Sequence, residues 1–310
     1  MAGETEDRAI GQRTLDTEFR VHGQGMHTCQ PVSMTVYPGE PDTGICFLRA
    51  DQPPSRALIL ARWSSVVSTE YSTDIGNSAG VRVRAVGRLL AALRLGGVDN
   101  ALVVLNGPEI PALDGSAAPF LREIERAGTV EQNAPARTII LRHGAEVRDG
   151  DRCVRLSPSL NPRLTITIDG PDPAPGTQSL GAAWNQDFLK REVAPARTFG
   201  FAAERAALTD RVHAPTVRLI SPRFVDAEQD RGAMRYPDEF VRHKLLDAIG
   251  DLYLAGWPIA ANYEGFKPDH ELNVRLLRKV FEPSLDAWSL APARIPRGME
   301  SGSAGALHQV

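Results

Sequence analysis

The residues best suited to chemistry lie in one segment, DEFVRHKLLDAIGDL, from Asp238 to Leu252. It carries His243 and Asp247 four residues apart, so on a helix both side chains lie on one face, one turn from each other. An imidazole and a carboxylate so placed can hold a zinc ion with a third ligand and leave a position open for water. Most such pairs are solvated or structural, so the pair alone does not establish a metal site.

Two further side chains extend this pair. His270, in the segment FKPDHELN, precedes the last predicted helix and could add a second imidazole. Asp251 lies two turns from His243 on the same helix face, where a carboxylate can orient an imidazole through its other ring nitrogen. The alternative interpretations are a surface histidine near a helix start and a solvated acid near a helix end. Together these residues favour a hydrolytic metal site.

The elements that position these residues form two α+β halves in the sequence pattern. Residues 12–130 are predicted as the first domain and residues 136–285 as the second. The polar segment TVEQNAPA, Thr129 to Ala136, follows a helix stop and is the best candidate for the linker. Small and polar residues predict a disordered tail over 292–310.

Helices are predicted where apolar residues recur at helical spacing and a stop signal follows. The predicted helices are RVRAVGRLLAALRL at 82–95, FLREIERAG at 120–128, the segment 238–254, and 271–281. A buried strand is predicted at ALVVLNG, 101–107, between the first two helices.

Composition limits the class of protein. The chain has 310 residues, of which 42% are hydrophobic and 24% charged, and a formal net charge of -3. This charge excludes a global attraction to nucleic acid. Three scattered cysteines fit a reducing compartment. The polar start has no apolar signal core, and no apolar run approaches the roughly 20 residues of a membrane span. We therefore expect a cytoplasmic protein without a transmembrane segment.

Five segments carry a family resemblance: DEFVRHKLLDAIGD, PEIPALDGSAAPF, ARTFGF, the GQGMH turn and HELN. They resemble the UDP-3-O-acyl-N-acetylglucosamine deacetylases, which are zinc amidases of Gram-negative bacteria that carry out the committed step of lipid A synthesis for lipopolysaccharide. The resemblance extends from about Gln12 to about Phe281. It implies a two-domain α+β sandwich, each domain a β-sheet packed on helices, with the active site in the cleft between the domains.

The resemblance also implies roles for individual residues. It implies that His243 and Asp247 are zinc ligands, that His270 is a proton donor or electrostatic partner at the reacting amide, and that Asp251 orients it. The other implied residues act on the substrate: Thr198 as the oxyanion donor, Lys244 beside the ligands, Lys267 at the nucleotide diphosphate, and Phe199 in substrate binding. A UDP-linked acylated glucosamine is the implied ligand.

The sequence departs from the family at two adjacent positions. The family carries a Thr-Val-Glu-His run whose His is the third zinc ligand and whose Glu is the general base. The matching segment here is AVGRLLAAL, aligned by the Leu and Ala-Leu that follow, so the Glu position is Gly87 and the His position is Arg88. Arginine stays protonated and cannot donate a lone pair to zinc, and glycine cannot move a proton.

We predict that Arg88 takes the place of the metal and forms a charge-assisted bond with Asp247. The alternative is that its side chain bends into solvent. A second departure lies at 210–226, where Ala214-Pro215-Thr216 and then Arg218 replace a Gly-Gly-Ser stretch. Because that region borders the family's acyl passage, this departure leaves acyl binding open.

Two functions remain open from the sequence. The first is a non-hydrolytic homologue, a pseudoenzyme that needs no zinc and acts as a binding or regulatory protein with a protein partner in lipid A synthesis. The second is an active zinc-dependent deacetylase with a rebuilt site. Candidates for the replacement ligand or base are Glu70, Asp74, His213 and His27, with Cys29 near the cleft. A purely structural protein is a third, weaker class.

Overall fold

The computed structural model describes residues 8–170, 176–199 and 234–295. Within these ranges the chain is an α+β protein, as predicted, with helices packed in the middle and sheets on the outside. The helices are α1 (Gly87–Gly96), α2 (Ala118–Ala127), α3 (Gln186–Glu192), α4 (Glu239–Leu252) and α5 (His270–Val280). None of them is long and apolar enough to cross a membrane.

The strands follow the chain in two groups around these helices. The first group is β1 (Arg8–Ala9), β2 (Gly11–Leu15), β3 (Phe19–Gln24), β4 (Pro31–Pro38), β5 (Ile45–Arg49), β6 (Leu58–Leu60), β7 (Val66–Ser68), β8 (Asp74–Gly76), β9 (Arg82–Val83) and β10 (Ala101–Leu105). The second group is β11 (Thr129–Pro135), β12 (Arg137–Leu141), β13 (Ala145–Asp149), β14 (Arg152–Pro158), β15 (Arg163–Asp169), β16 (Thr177–Ala183), β17 (Ile259–Phe266), β18 (Trp288–Pro292) and β19 (Arg294–Ile295).

Two sheets form the outer layers. The first has the order β3-β4-β10-β5-β6, with β10 antiparallel to β4 and parallel to β5. Strand β4 alternates in burial, with Val32, Met34 and Val36 facing the core, as a half-buried strand requires. The second sheet has the order β13-β14-β17-β12-β18, and β15 joins it through β17 and carries β16. Helices α4 and α5 pack on this second sheet.

Helices α1 and α4 join the two halves, because they pack directly against each other in the centre of the molecule. Gly250 of α4 makes the close approach possible. A Cβ atom placed on Gly250 would lie 2.2 Å from the carbonyl oxygen of Gly87 in α1. The N-terminus of α1 is thereby held against α4, one turn beyond Asp247, which brings the predicted site residues of the two halves together.

The structure corrects three boundaries of the sequence prediction. The predicted linker at 129–136 forms strand β11, which pairs with β2 in a two-stranded ribbon. Its side chains are mostly exposed, so no apolar face marks it as a strand in the sequence. Residues 82–83 form β9, and α1 begins only at Gly87. Of the predicted tail, Pro292 and Arg294–Ile295 belong to strands, because they pair with β12 and β1, and 296–310 lies outside the described residues.

Candidate functional site

A cleft with a cavity volume of about 280 Å³ lies where the N-terminus of α1 meets α4. The cleft brings together most of the predicted site positions. Its lining includes Gly87, Arg88, Thr198, Phe199, His243, Lys244, Asp247 and His270. Asp251 is fully buried behind His270, and Lys267 lies outside the cleft.

His243 and Asp247 converge as their spacing on α4 predicts. The Nδ1 atom of His243 donates to the carbonyl oxygen of Ala196 at 3.0 Å, since a carbonyl can only accept. This bond fixes the ring and directs Nε2 at Asp247 Oδ1, 3.2 Å away. Such an orienting bond is typical of a metal-ligating histidine. Nε2 and Oδ1 both carry lone pairs, so at this distance either a cation or a proton must lie between them.

Asp251 lies at the centre of a buried hydrogen-bond network. Its carboxylate accepts from Thr73 Oγ1 at 2.5 Å, from Asn273 Nδ2 at 2.9 Å and from His270 Nδ1 at 2.8 Å. Tyr263 donates to Asn273 Oδ1 at 2.6 Å and so fixes the amide. The network holds the His270 ring in one orientation at the wall of the cleft, as the orienting role predicted for Asp251 requires.

The same network sets the charge of His270. Burial alone would lower the pKa of His270, but the negative charges of Asp251 and Asp247 and the hydrogen bond to Asp251 raise it to about 9. His270 therefore carries a proton at neutral pH. A protonated imidazole at the cleft wall can donate a proton or a charged hydrogen bond to a bound ligand.

Asp247 is held as a carboxylate. Burial raises its pKa, but the charges of His243, Lys244 and His270 outweigh burial and keep the pKa well below its usual value. Lys244 contributes an ion pair, with Nζ 3.2 Å from Asp247 Oδ2. Both oxygens of this carboxylate therefore have cationic or hydrogen-bonding neighbours from its own helix.

Arg88 does not form the predicted bond with Asp247. Among the described residues, no hydrogen bond or ion pair involves its guanidinium, and Nε and Nη2 are enclosed without a partner. The charge of Asp247 is already compensated by His243 and Lys244 from its own helix, so the carboxylate does not need Arg88 as a counter-ion. Bending into solvent is also wrong, since Arg88 is only 6% exposed.

Burial disfavours the charge on Arg88. It lowers the pKa of the guanidinium, while the more distant carboxylates of Asp247, Glu109 and Asp114 act in the opposite direction. Arginine nonetheless remains charged in proteins. The cleft therefore contains a buried cation whose enclosed donors are unsatisfied.

Gly87, which the resemblance places at the position of the family's base, lines the cleft. A Cβ atom built on it would meet no atom within 4 Å other than its neighbours in the chain and its own helix backbone. A longer side chain at this position would therefore extend into the cavity without displacing the structure around it.

The donors in the cleft do not fit a catalytic zinc ion. His243 and Asp247 supply two ligands, whereas catalytic sites usually use three from the protein. Arg88 lines the same cleft, and its positive charge repels a metal cation. Across the described ranges, no group of three His, Cys, Asp or Glu side chains is placed to hold a metal ion.

Thr198 is positioned by a carboxylate that sequence reasoning missed. Its backbone nitrogen donates to Gly115 O at 2.8 Å, and the preceding Arg197 pairs with the buried Glu239 at 2.8 Å. Glu239 also accepts from the backbone nitrogens of Arg197 and Arg235. No sequence signal pointed to this role, because an acid in the first turn of a helix is already favoured by the helix dipole.

Phe199 forms an aromatic wall of the cleft. Its ring packs edge to face on Phe240, with centroids 4.6 Å apart, and on His243 at 6.0 Å. The Lys244 ammonium lies 5.6 Å from the centroid of the Phe199 ring. Such a surface suits the apolar face of a sugar or base.

Lys267 is placed away from the other predicted residues. It lies in the turn after β17 with a left-handed φ of 49°. Its Nζ pairs with Asp151 at 2.7 Å and Asp169 at 3.2 Å. These two carboxylates would compete with a diphosphate for the ammonium, and both lie too far from Lys267 in the sequence to be recognised as its neighbours.

The alternative ligands that the structure describes do not line the cleft. Asp74 is engaged by Ser72, by the Ala85 nitrogen and by an ion pair with Arg84 at 3.1 Å. Glu70 is exposed, and His27 and Cys29 lie outside the lining. His213 and the departure at 210–226 lie outside the described residues.

Two positioning residues escaped sequence reasoning for different reasons. Asn273 follows His270 by three residues in HELN, so both lie on one face of α5, and that spacing was a usable signal. Thr73 comes from a loop before β8, and nothing in the sequence connects it with Asp251, its partner 178 residues away.

Comparison with known proteins identifies the scaffold around this cleft. A profile of the family described as UDP-3-O-acyl N-acetylglycosamine deacetylase matches residues 12–282. A protein of Myxococcus xanthus named UDP-3-O-acyl-N-acetylglucosamine deacetylase is 40% identical over 309 residues, with 96% of each chain covered. Proteins of the same name from Phenylobacterium zucineum and Acidithiobacillus ferrooxidans are 39% and 41% identical, over 89% and 90% of this chain and 95% and 92% of their own.

Proposed function

This chain belongs to the UDP-3-O-acyl N-acetylglycosamine deacetylase family, and we propose that it is a catalytically inactive or strongly impaired member. In this proposal it binds a UDP-linked acylated glucosamine or a related sugar nucleotide. It then acts as a binding or regulatory protein in lipid A biosynthesis, rather than as a hydrolase.

The observation that carries this proposal is that Gly87 and Arg88 line the same cleft as His243 and Asp247. Loss of a general base typically lowers a rate about 10²–10⁴-fold. Loss of the metal removes the means of activating water near neutral pH. With Gly87 and Arg88 at these two positions, the described residues of the cleft lack both the family's base and its third ligand.

The rest of the cleft supports binding. Protonated His270 and Lys244 offer charged donors, Thr198 lies at the cleft surface, and Phe199 offers an aromatic face. These groups suit the hydroxyl, amide and ring surfaces of a sugar nucleotide. None of them is needed to fold the helix or loop on which it lies, so their presence together favours a ligand over a purely structural role.

Metal analysis and an activity assay test the proposal directly. The purified chain is dialysed with and without zinc, its metal content is measured, and release of acetate from UDP-3-O-acyl-N-acetylglucosamine is followed. We expect substoichiometric zinc and a rate at least about 10²-fold below that of an intact relative assayed alongside. Tight stoichiometric zinc with full turnover would instead establish an active deacetylase with a rebuilt site.

A double variant, Gly87→Glu with Arg88→His, tests whether these two positions account for the loss. The open space at Gly87 accepts the new side chain, so the variant is expected to fold as the parent does. We expect it to bind zinc through the introduced imidazole together with His243 and Asp247, and to gain measurable activity. The matched control, Gly87→Gln with Arg88→Gln, has similar side-chain sizes and should bind no zinc. Equal zinc content in both variants would refute the assignment.

A further inference from the structure

We propose that a second cavity, separate from the candidate cleft, binds a short aliphatic carboxylate on the guanidinium of Arg94. This cavity lies where the end of α1 and the end of α4 meet strands β14, β15 and β17 of the second sheet. Among the described residues, none lines both this cavity and the cleft. The site therefore goes beyond the proposed function and does not depend on it.

The cavity is narrow and its walls are mainly apolar. Its volume is about 50 Å³, which is room for about four water molecules at roughly 10–15 Å³ each, or for a short organic acid. The walls include the aliphatic residues Leu156, Leu164 and Ile249 and the aromatic residues Trp184 and Trp257. Binding sites for small molecules have this composition, in which apolar walls surround a few polar groups that fix the ligand.

Two tyrosines of the wall have hydroxyl groups that are already engaged. Tyr253 donates to the carbonyl oxygen of Val98 at 2.5 Å, and Tyr263 donates to Asn273 Oδ1 at 2.6 Å. Their donor protons are therefore committed to the protein. Arg94 is the charged side chain among the described residues that line the cavity, so it is the group that a polar ligand would meet.

Arg94 is a buried cation without an acceptor. Only 9% of the residue is exposed, and among the described residues no hydrogen bond or ion pair involves its guanidinium. Its contact is with the ring of Trp184, whose centroid lies 4.3 Å from the guanidinium carbon. A ring face supplies no oxygen to accept from the N–H groups of a guanidinium. The negative charge of Asp99 acts on Arg94 only from beyond ion-pair distance.

The donors of Arg94 are accessible, unlike those of Arg88. Nε and Nη2 of Arg88 are enclosed without a partner, whereas no nitrogen of Arg94 is enclosed in this way. Because Arg94 lines the cavity and is otherwise buried, its unpaired N–H groups face the cavity. A buried charged donor without an acceptor is unfavourable, so a ligand that supplies acceptor oxygens there is stabilised.

The charge and the walls together select a short carboxylate. The planar guanidinium matches the two oxygens of a carboxylate in a bidentate pair, and an alkyl chain suits the apolar walls. A phosphate would lose water from further charged oxygens, and the described wall offers no second cation to replace that water. The negative charge of Asp99 also disfavours a dianion.

Titration of the full chain with 13C-labelled propionate, followed by NMR line broadening and calorimetry, tests this site. The comparison arms are n-propanol, which has the chain without the charge, and inorganic phosphate, which has charge without the chain, at matched ionic strength. We expect propionate to bind at least tenfold more tightly than either. Arg94→Met should weaken propionate binding at least tenfold, and Arg94→Lys, which keeps the charge but loses the planar fork, should fall between Arg94→Met and the parent. Circular dichroism checks that both variants are folded.

Arg88→Met is the matched control, because Arg88 is also buried on α1 but does not line this cavity. It should bind propionate as the parent does. Undiminished propionate binding in Arg94→Met would overturn the site, and loss of binding in Arg88→Met alone would assign the carboxylate to the cleft instead. Equal binding of propionate and n-propanol, or tighter binding of phosphate, would overturn the choice of ligand. If propionate shows no saturable binding, the cavity holds only water and the proposal is wrong.

Discussion

Replacing Arg88 with methionine should stabilise this protein. Arg88→Met keeps an unbranched side chain in a site that is only 6% exposed and removes a charge whose Nε and Nη2 have no partner among the described residues. Methionine is flexible enough to fill the space that the guanidinium leaves. The usual outcome of removing a buried arginine, loss of its hydrogen bonds, does not apply here.

The magnitude follows from two opposing effects. Each unsatisfied buried donor costs about 1–3 kcal/mol, and replacing buried charges by apolar groups of similar volume is often neutral or stabilising by about 1–4 kcal/mol. The attraction of Asp247, Glu109 and Asp114 for the guanidinium opposes this gain, and burial outweighs it in the lowered pKa of Arg88. We expect a net gain of about 2 kcal/mol in the free energy of unfolding.

Urea unfolding in a buffer free of carboxylates and phosphate measures this gain, and Arg94→Met is the control. The Arg94 guanidinium lies 4.3 Å from the centroid of the Trp184 ring, so its loss removes a cation–π contact. We expect Arg94→Met to be destabilised by about 1 kcal/mol. Destabilisation of Arg88→Met by a similar amount would refute the reasoning, because it would mean that the Arg88 donors are satisfied.

Three other outcomes test the packing and the network. Gly250→Ala should lose about 3 kcal/mol of unfolding free energy, measured by urea titration, because its Cβ would lie 2.2 Å from Gly87 O. Gly87→Ala, in contrast, meets no neighbouring atom and should gain up to about 1 kcal/mol from its higher helix propensity. The protonated His270 stabilises the fold, because its pKa is raised from 6.5 to about 9, and this stabilisation is fully present below pH 6.5 and disappears as the pH rises through 9. Relative to His270→Gln, the parent should therefore lose about 3 kcal/mol of unfolding free energy over this range. Urea unfolding of both proteins at pH 6 and pH 9.5 measures the difference. Thr73→Val should lose about 2 kcal/mol, measured in the same way, because Asp251 loses a charged hydrogen bond.

The sequence was sufficient where a contact lies within one helix. The convergence of His243 and Asp247 follows from helical spacing alone. The same spacing could have predicted that Lys244, three residues before Asp247, pairs with its second oxygen and compensates its charge without Arg88. The error over Arg88 therefore came from treating the carboxylate as unoccupied, and the information needed to avoid it was in the helix.

Contacts across the fold could not be predicted in this way. Lys267 meets Asp151 from the turn before β14 and Asp169 from the end of β15, and only the sheet order brings these together. Strand β11 pairs with β2, and most of its side chains are exposed on both faces. Neither hydrophobic alternation nor β propensity therefore indicated a strand in the sequence.

The helix crossing explains how the fold can persist while the chemistry of the cleft changes. Gly250 contacts the backbone carbonyl of Gly87, whereas the Cβ direction of Gly87 opens into the cavity. The packing of α1 on α4 therefore depends on a main-chain atom that every residue type supplies at that position. A glutamate or a glycine at residue 87 leaves this contact unchanged, so the side chain at this position can differ without destabilising the crossing. For the same reason, a glutamate introduced there should change the chemistry of the cleft and leave the fold intact.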